Sequence, residues 1–358
     1  MASTLSLSAA PVREKTIRVA DDKAMLRAAA DLTRELSTPK PVIYWADLIG
    51  SAVVGYGGLA VAIVSGSTAL TVVAGVVAML GLYRAMSFIH EVSHMKHASL
   101  PRFRAGWNAI VGVPMLIPSF MYEGVHNLHH AKTRYGTVED PEYLPLALMK
   151  PWTLPLFIVV SALAPVALLV RYALLSPLSL LSSRLRTAVV ERYSALAINP
   201  QFRRRAPEGE AKRTWDRIET AASLWAIALV AMGVTGVLSG RSIVVILAVA
   251  SAVAVINQVR TLVAHLWENE GEPMSVTAQY LDTVNVPPPT LLPALWAPVG
   301  LRYHALHHLL PSVPYHALGE AHRRLSAMLE AESPYHQASY PGLPVLVGKI
   351  ARSTMLRR

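Results

Sequence analysis

The chain of 358 residues has no cysteine. A disulfide framework, a thiol nucleophile and any cysteine-ligated zinc or iron–sulfur centre are therefore excluded. Metal or redox chemistry must rest on His, Asp or Glu, and electrons must come from another protein or a bound cofactor. Charge is also scarce. Asp, Glu, Lys and Arg make up 16% of residues, against about a quarter in ordinary soluble domains. The first residues lack an apolar core long enough for a signal peptide, and no internal repeat or low-complexity segment stands out. What the chain has instead is apolar sequence: 53% hydrophobic residues and a mean hydropathy of +0.38. Its net charge of +10 is carried by residues flanking apolar segments, not by a separate polar domain. That distribution suits anionic lipid head groups or an acidic redox partner; nucleic acid is not expected.

Four segments approach the roughly 20 apolar residues needed to cross a bilayer core: Leu48–Ser65, Ala69–Ile89, Thr220–Leu238 and Ser242–Val259. The first two are joined through SGST, which begins at Ser65, and the second two through SGR, so each pair forms a tight hairpin. Their other ends meet Lys40, Lys96, Arg217 and Arg260, and Arg184–Arg217 carries nine Lys/Arg against four Asp/Glu. The positive-inside rule makes those ends cytoplasmic, with a bacterial inner membrane as the setting. Trp107–Tyr122 and Pro151–Leu181 are apolar but broken by prolines. Both flanks of each are expected on the same side, so both read as interfacial or re-entrant helices, with a full hairpin as the alternative for the second. The expected architecture is all-α and integral to the membrane: four transmembrane helices in two hairpins, interfacial or re-entrant helices, and a cytoplasmic histidine-rich cap. Residues 1–40 read as a cytoplasmic N-terminal arm before a single membrane-embedded catalytic domain, 41–358. Within the arm, Asp21–Leu36 is either an amphipathic surface helix or a mobile stretch.

Nine of the thirteen histidines fall in four places. These are His90 and His94, in HEVSH; His126, His129 and His130, in HNLHH; His265, just past the fourth span; and His304, His307 and His308, in HALHH. Residues three and four apart share a helix face, so each cluster aims two or three imidazoles at one point. All four lie on the same expected side of the membrane. Imidazole suits iron, zinc, copper and nickel; eight or nine are too many for one ion and natural for two. His97, His316, His322 and His336 read as interfacial or hydrogen-bonded residues.

These motifs resemble the membrane-bound fatty acid desaturase and hydroxylase superfamily, whose members carry three histidine boxes in this order, including decarboxylases that form terminal alkenes. The resemblance runs from about Pro41 to the C-terminus and extends to HNLHHAKTRYGTVEDPEY and HALHHLLPSVPYHAL. It implies two iron ions held by His90, His94, His126, His129, His130, His265, His304, His307 and His308, with dioxygen as co-substrate. It also implies a fatty acid or fatty-acyl substrate. Related desaturases place a water-linked asparagine four residues before the histidine that corresponds to His265. Here that position is Thr261, with Asn257 eight residues before, so the coordination of one iron departs from the pattern; Asn257 or Glu268 could compensate.

A methylene C–H bond has no acidity to exploit, so metal-activated oxygen must abstract hydrogen while the protein positions the chain. Desaturation is the expected outcome; decarboxylation of a free acid to a terminal alkene and hydroxylation are the alternatives, since one ligand set serves all three. Arg260, Arg302, Lys132 and Arg134 flank the boxes and read either as partners for a head group or as positive-inside anchors. Glu139, Asp140 and Glu142 read as acceptors for imidazole N–H groups or as a solvated turn. A separate electron-transfer protein, ferredoxin or similar, is expected on the basic Arg184–Arg217 surface. A competing class is an intramembrane zinc protease, because His90-Glu91-x-x-His94 fits HExxH with Glu91 as general base; it leaves two boxes unexplained. A histidine-relay transporter would not need its clusters outside the spans.

Overall fold

The computed structural model describes residues 19–95 and 99–356; Lys96, His97 and most of the first twenty residues lie outside them. Among the described residues, four helices are long and apolar enough to span a membrane: Pro41–Val64, Thr68–His94, Gly209–Val234 and Gly240–Val263. All four run beyond their expected limits at the cap end. Hydropathy marks only the lipid-buried stretch, whereas the second helix continues through Ile89 to carry His90 and His94 out of it. The third starts eleven residues before Thr220, at Gly209, and stops at Val234 rather than Leu238. There Gly236 takes a φ of +77°, the left-handed geometry that closes a helix end.

Each hairpin turns through a few residues. Ser67 and Ser239 cap the returning helices by accepting hydrogen bonds from Leu70 N and Ser242 N. Small residues let the first pair pack backbone to backbone: a Cβ at Gly81 would lie 2.6 Å from Gly55 N, and one at Gly58 would lie 2.9 Å from Ala78 N. Helices in lipid associate through such close approach because the solvent offers no hydrophobic drive between them. The outer faces carry exposed valines such as Val53, Val54, Val72, Val73 and Val244, as lipid contact requires. At the turn end Arg241 ties the hairpins together: its guanidinium donates to the carbonyls of Ile63 and Ser65 and to Thr71 Oγ1. A cation thus meets the orphan carbonyls at a helix C-terminus, where the macrodipole is negative.

The stretch Pro151–Leu181 forms two helical pieces, Thr153–Ser161 and Ala164–Ser179, bent by 57°. Ser251, near the middle of the fourth span, donates to Ala162 O at the bend (2.7 Å), satisfying backbone that a broken helix leaves open. One end packs beside Leu266 and Trp267; the other ends where Ser176 and Arg171 bond Glu219. Both ends therefore pack near the cap end of the spans, an arrangement that fits the re-entrant reading. Trp107–Tyr122 is likewise short and turned back on itself, with a π-turn at Asn108–Gly112 and a 3-10 turn at Ser119–Met121.

The cap is built from short helices and loops. Lys23–Leu36 is a helix capped by Asp22, and its Met25, Ala29 and Leu32 are buried against Leu306, Leu310, Leu318, Ala321, Leu325 and Tyr335. Of the two readings of this stretch, the helix holds, though one face is buried and not merely laid on a surface. Replacing Gly81 by Val should cost roughly 1–3 kcal/mol through overpacking and lower the thermal midpoint in detergent. Gly57, where a Cβ meets nothing within 4 Å, should tolerate Ala with little change.

Candidate metal centre

The nine box histidines meet at one end of the four spans. They form two groups, each with ligand atoms within 4.8 Å of one another: His90, His94, His126, His130 and His307; and His129, His265, His304 and His308. Each His-x-x-His-His box feeds both groups. At 3.6 residues per turn the i+4 position falls about 40° past i and the i+3 position about 60° short of it, so His126 and His130 can enter the first group while His129 enters the second. His304 and His308 enter the second group while His307 enters the first. His90 and His94 converge on one group as expected, whereas in the other two boxes two rings converge and the third is diverted: the two short helices, His126–His129 and His304–Leu309, divide their rings between the groups. His130 and His308 stack across the divide with centroids 4.1 Å apart.

The donor atoms fit cations. Nε2 atoms face each other at 3.0 Å for His126 and His130, 3.0 Å for His94 and His307, 3.0 Å for His265 and His304, and 3.2 Å for His304 and His308. Imidazole nitrogens bound about 2.1 Å from a metal and set at right angles stand about 3 Å apart. Both nitrogens of His90 and Nε2 of His129 are buried with no hydrogen-bond partner, which is costly for a polar group unless something binds it. Burial, then the charge of neighbouring imidazoles, holds His126, His130, His304, His307 and His308 well below the usual histidine range. Burial, followed by His129 and Arg260, does the same for His265. The neutral ring is the form that ligates metal.

The outer nitrogens are held by carboxylates and phenols. His126 Nδ1 meets Glu142 Oε1 and Tyr122 Oη, both at 2.8 Å. His129 Nδ1 meets the fully buried Asp140 at 2.9 Å, and Asp140 is itself fixed by Gly136 N and Glu142 N. His265 Nδ1 meets Tyr135 Oη (3.0 Å), which donates to Asp282 (2.8 Å). Burial lowers the affinity of His129 for a proton, but the charge and hydrogen bond of Asp140, with Glu142 and Asp282, outweigh it and the net shift is upward. Burial pushes Glu142 up to about 7 against the opposing pull of His129 and Tyr122. Burial also pushes Asp282 up to about 7, against hydrogen bonds from Tyr135 and Tyr143. Asp140 and Glu142 thus take the acceptor reading, while Glu139 stands outside, 3.6 Å from Arg134. Tyr122, Tyr135 and Asp282 were not singled out by the sequence. Tyr135 lies within the phrase that follows the second box, but nothing local marks Asp282. The third box is positioned by the buried Asn285, whose Oδ1 accepts from Leu306 N and whose own backbone bonds Ala338 and Tyr340.

The four candidate head-group cations separate. Lys132 is exposed, 3.5 Å from Asp21; Arg134 faces Glu139; Arg302 donates to the carbonyls of Val286 and Thr290. Arg260 is buried, with Nε unpartnered. Asn257 accepts a hydrogen bond from Thr261 through its backbone carbonyl (3.0 Å), and Glu268 N bonds Asp282. His316, His322 and His336 are hydrogen-bonded away from the centre, to Lys40 N, Tyr335 Oη and Glu330 O.

Glu91 decides against the protease geometry. Its Oε2 accepts from Tyr44 Oη and from Tyr315 N, joining the first two spans to the loop after the third box, and its Oε1 lies 4.0 Å from His90 Nδ1, so the carboxylate is committed to structural bonds beside the histidines.

Four membrane-length helices carrying two polyhistidine groups at one end define the class as a membrane protein with two adjacent groups of candidate metal ligands. A family model for fatty acid desaturases matches residues 67–340, and the chain belongs to the fatty acid desaturase family. It is 49% identical over 335 residues to a ceramide hydroxylase of Caulobacter vibrioides, covering 94% of this chain and 95% of that protein. It is an integral-membrane oxidoreductase.

Replacing Glu91 by Gln should leave metal content unchanged and lower the thermal midpoint, since a buried acceptor shared by two elements is worth roughly 1–3 kcal/mol. Loss of metal with unchanged stability would return Glu91 to the centre.

Proposed function

We propose that this chain is a dioxygen-dependent lipid hydroxylase with two irons. His90, His94, His126, His130 and His307 would hold one, and His129, His265, His304 and His308 the other. The observation that carries the reading is the convergence of nine imidazoles, six buried and three half-buried, into two groups whose inner nitrogens have only each other to face. Bound there, two irons supply the activation of dioxygen that an unactivated C–H bond requires. The chain's own residues supply geometry and proton control. Glu142, Asp140 and the Tyr135–Asp282 pair fix the tautomer and direction of His126, His129 and His265, as outer partners do for metal-ligating imidazoles. The short helices of the second and third boxes keep the irons adjacent, and the cap over them keeps water from the reacting carbon.

The substrate proposed is a long-chain lipid of the ceramide type. The ceramide hydroxylase relative, at 49% identity along almost the whole of both chains, supports hydroxylation over the desaturation expected from the boxes alone. A ceramide's acyl carbonyl is locked in an amide and cannot leave as carbon dioxide, which disfavours a terminal alkene product. Desaturation keeps support from the family model, and the two differ only in whether the substrate radical gains oxygen or loses a second hydrogen. Electrons come from a separate carrier. The site faces the cytoplasm, a reading supported by the basic residues at that end of the spans.

The test is to incubate purified protein with a reductant system and either a ceramide or a saturated fatty acid, then read product mass. Gain of one oxygen atom supports the reading; loss of two hydrogens makes the enzyme a desaturase. His129→Ala and His307→Ala should each abolish turnover and each release one of the two irons. Full iron content and activity in either variant would refute the assignment.

A further inference from the structure

The segment between the re-entrant pair and the third span carries charge that the site itself does not use. Within Arg184–Arg217, Arg186, Lys212 and Arg213 pair with Asp216, Glu219 and Glu210. Arg204 is half-buried and structural. Arg184, Arg192, Arg203, Arg205 and Arg217 are exposed and form no ion pair with an acid among the described residues. Two of them, Arg192 and Arg203, line a surface cavity of about 280 Å³ with Tyr193, Asn199 and Phe202; Glu191 is its one acid.

The floor of this cavity is wired to both histidine groups. Asn199 Nδ2 donates to Asp140 O (3.0 Å), and Ile198 N and Asn199 N both donate to Pro141 O. The same Asp140 holds His129 Nδ1, so the path from cavity wall to the second group is one hydrogen bond, one residue, a second hydrogen bond and an imidazole. A parallel path serves the first group: Leu196 N donates to Met121 O (2.8 Å), and the adjacent Tyr122 bonds His126. Arg204 fastens the segment down through the carbonyls of Phe120 and Glu123, and its guanidinium covers Trp215, which stacks on Phe120 at 4.1 Å.

We propose that this basic concavity is the docking site of a small one-electron carrier with an acidic face, coupled to the metal groups through Asn199–Asp140–His129 and Leu196–Met121–Tyr122–His126. The proposal rests on the oxidase reading and gives it a delivery route. Hydroxylation converts R–H, O₂, two electrons and two protons into R–OH and water. Two reduced carriers each give up one electron per turnover, and the product C–O bond and the water take up the two oxygen atoms. A carrier is favoured over anionic lipid because a head group needs only the charge. The hydrogen bonds that join the cavity floor to Asp140 and to Met121 beside Tyr122 serve a redox partner and are irrelevant to a lipid.

The test compares wild type with the charge reversals Arg192→Glu/Arg205→Glu and Arg192→Glu/Arg203→Glu/Arg205→Glu. The double variant spares Arg203, whose guanidinium also bonds Pro200 O and Phe202 O. With a plant-type [2Fe–2S] ferredoxin and its reductase as electron source, KM for the carrier should rise about 10-fold, and the loss of rate with added salt should flatten. Protein reduced chemically without carrier, then mixed with dioxygen and substrate, should form product in one turnover at the wild-type level. Reversal at a remote surface, Arg34→Glu/Arg323→Glu, should change carrier KM by less than about twofold. Unchanged KM and salt dependence in both variants would overturn the proposal. So would an equal loss in the remote variant, or weaker membrane association with carrier KM unaltered. Absence of product from chemically reduced wild type would instead sink the oxidase reading itself.

Discussion

Everything in this structure is subordinate to keeping neutral imidazoles close together with their inner nitrogens facing inward. Nε2 atoms 3.0 Å apart have lone pairs that repel one another unless a proton or a cation lies between them, and burial disfavours the proton. The remaining architecture resists that repulsion. Carboxylates and phenols pull the outer nitrogens of His126, His129 and His265 away from the centre, and Asn285 pins the helix of the third box. Paired charges in the interior raise the cost of losing any one partner.

The membrane sets the second condition. Lipid offers no hydrogen bonds, so irregular backbone must be satisfied by protein. The bent pair obeys this through Ser251 and Ala162, and the first hairpin through glycines that bring two helices into backbone contact. At one end Arg241 joins the two turns. At the other, Glu91 and Asp47 tie the first two spans to Tyr315 beside the third box. The spans act as a rigid frame, which suits a centre assembled from four separate stretches of chain.

Much of the molecule was legible in advance because lipid and metals both leave strong local marks. Apolar runs near bilayer length gave the four spans, and the spacing of His126–His130 and His304–His308 marked the ligand boxes. Helix limits were less legible, since the second helix carries His90 and His94 past the apolar run and Gly236 closes the third through a backbone geometry that hydropathy does not register. Asp140 and Glu142 could be named from their neighbourhood but not told apart from Glu139, whose side chain faces Arg134 outside.

By itself, then, the amino-acid order determined the class: a cysteine-free, histidine-rich, four-span membrane oxidoreductase, because composition and period are local properties. Only the tertiary structure decided how the nine histidines divide five to four, that the second and third boxes each serve both groups while the first serves one, and that Asp282 reaches His265 through Tyr135. Those facts depend on the direction of side chains brought together across more than a hundred residues of sequence, and no spacing along the chain encodes a direction in space.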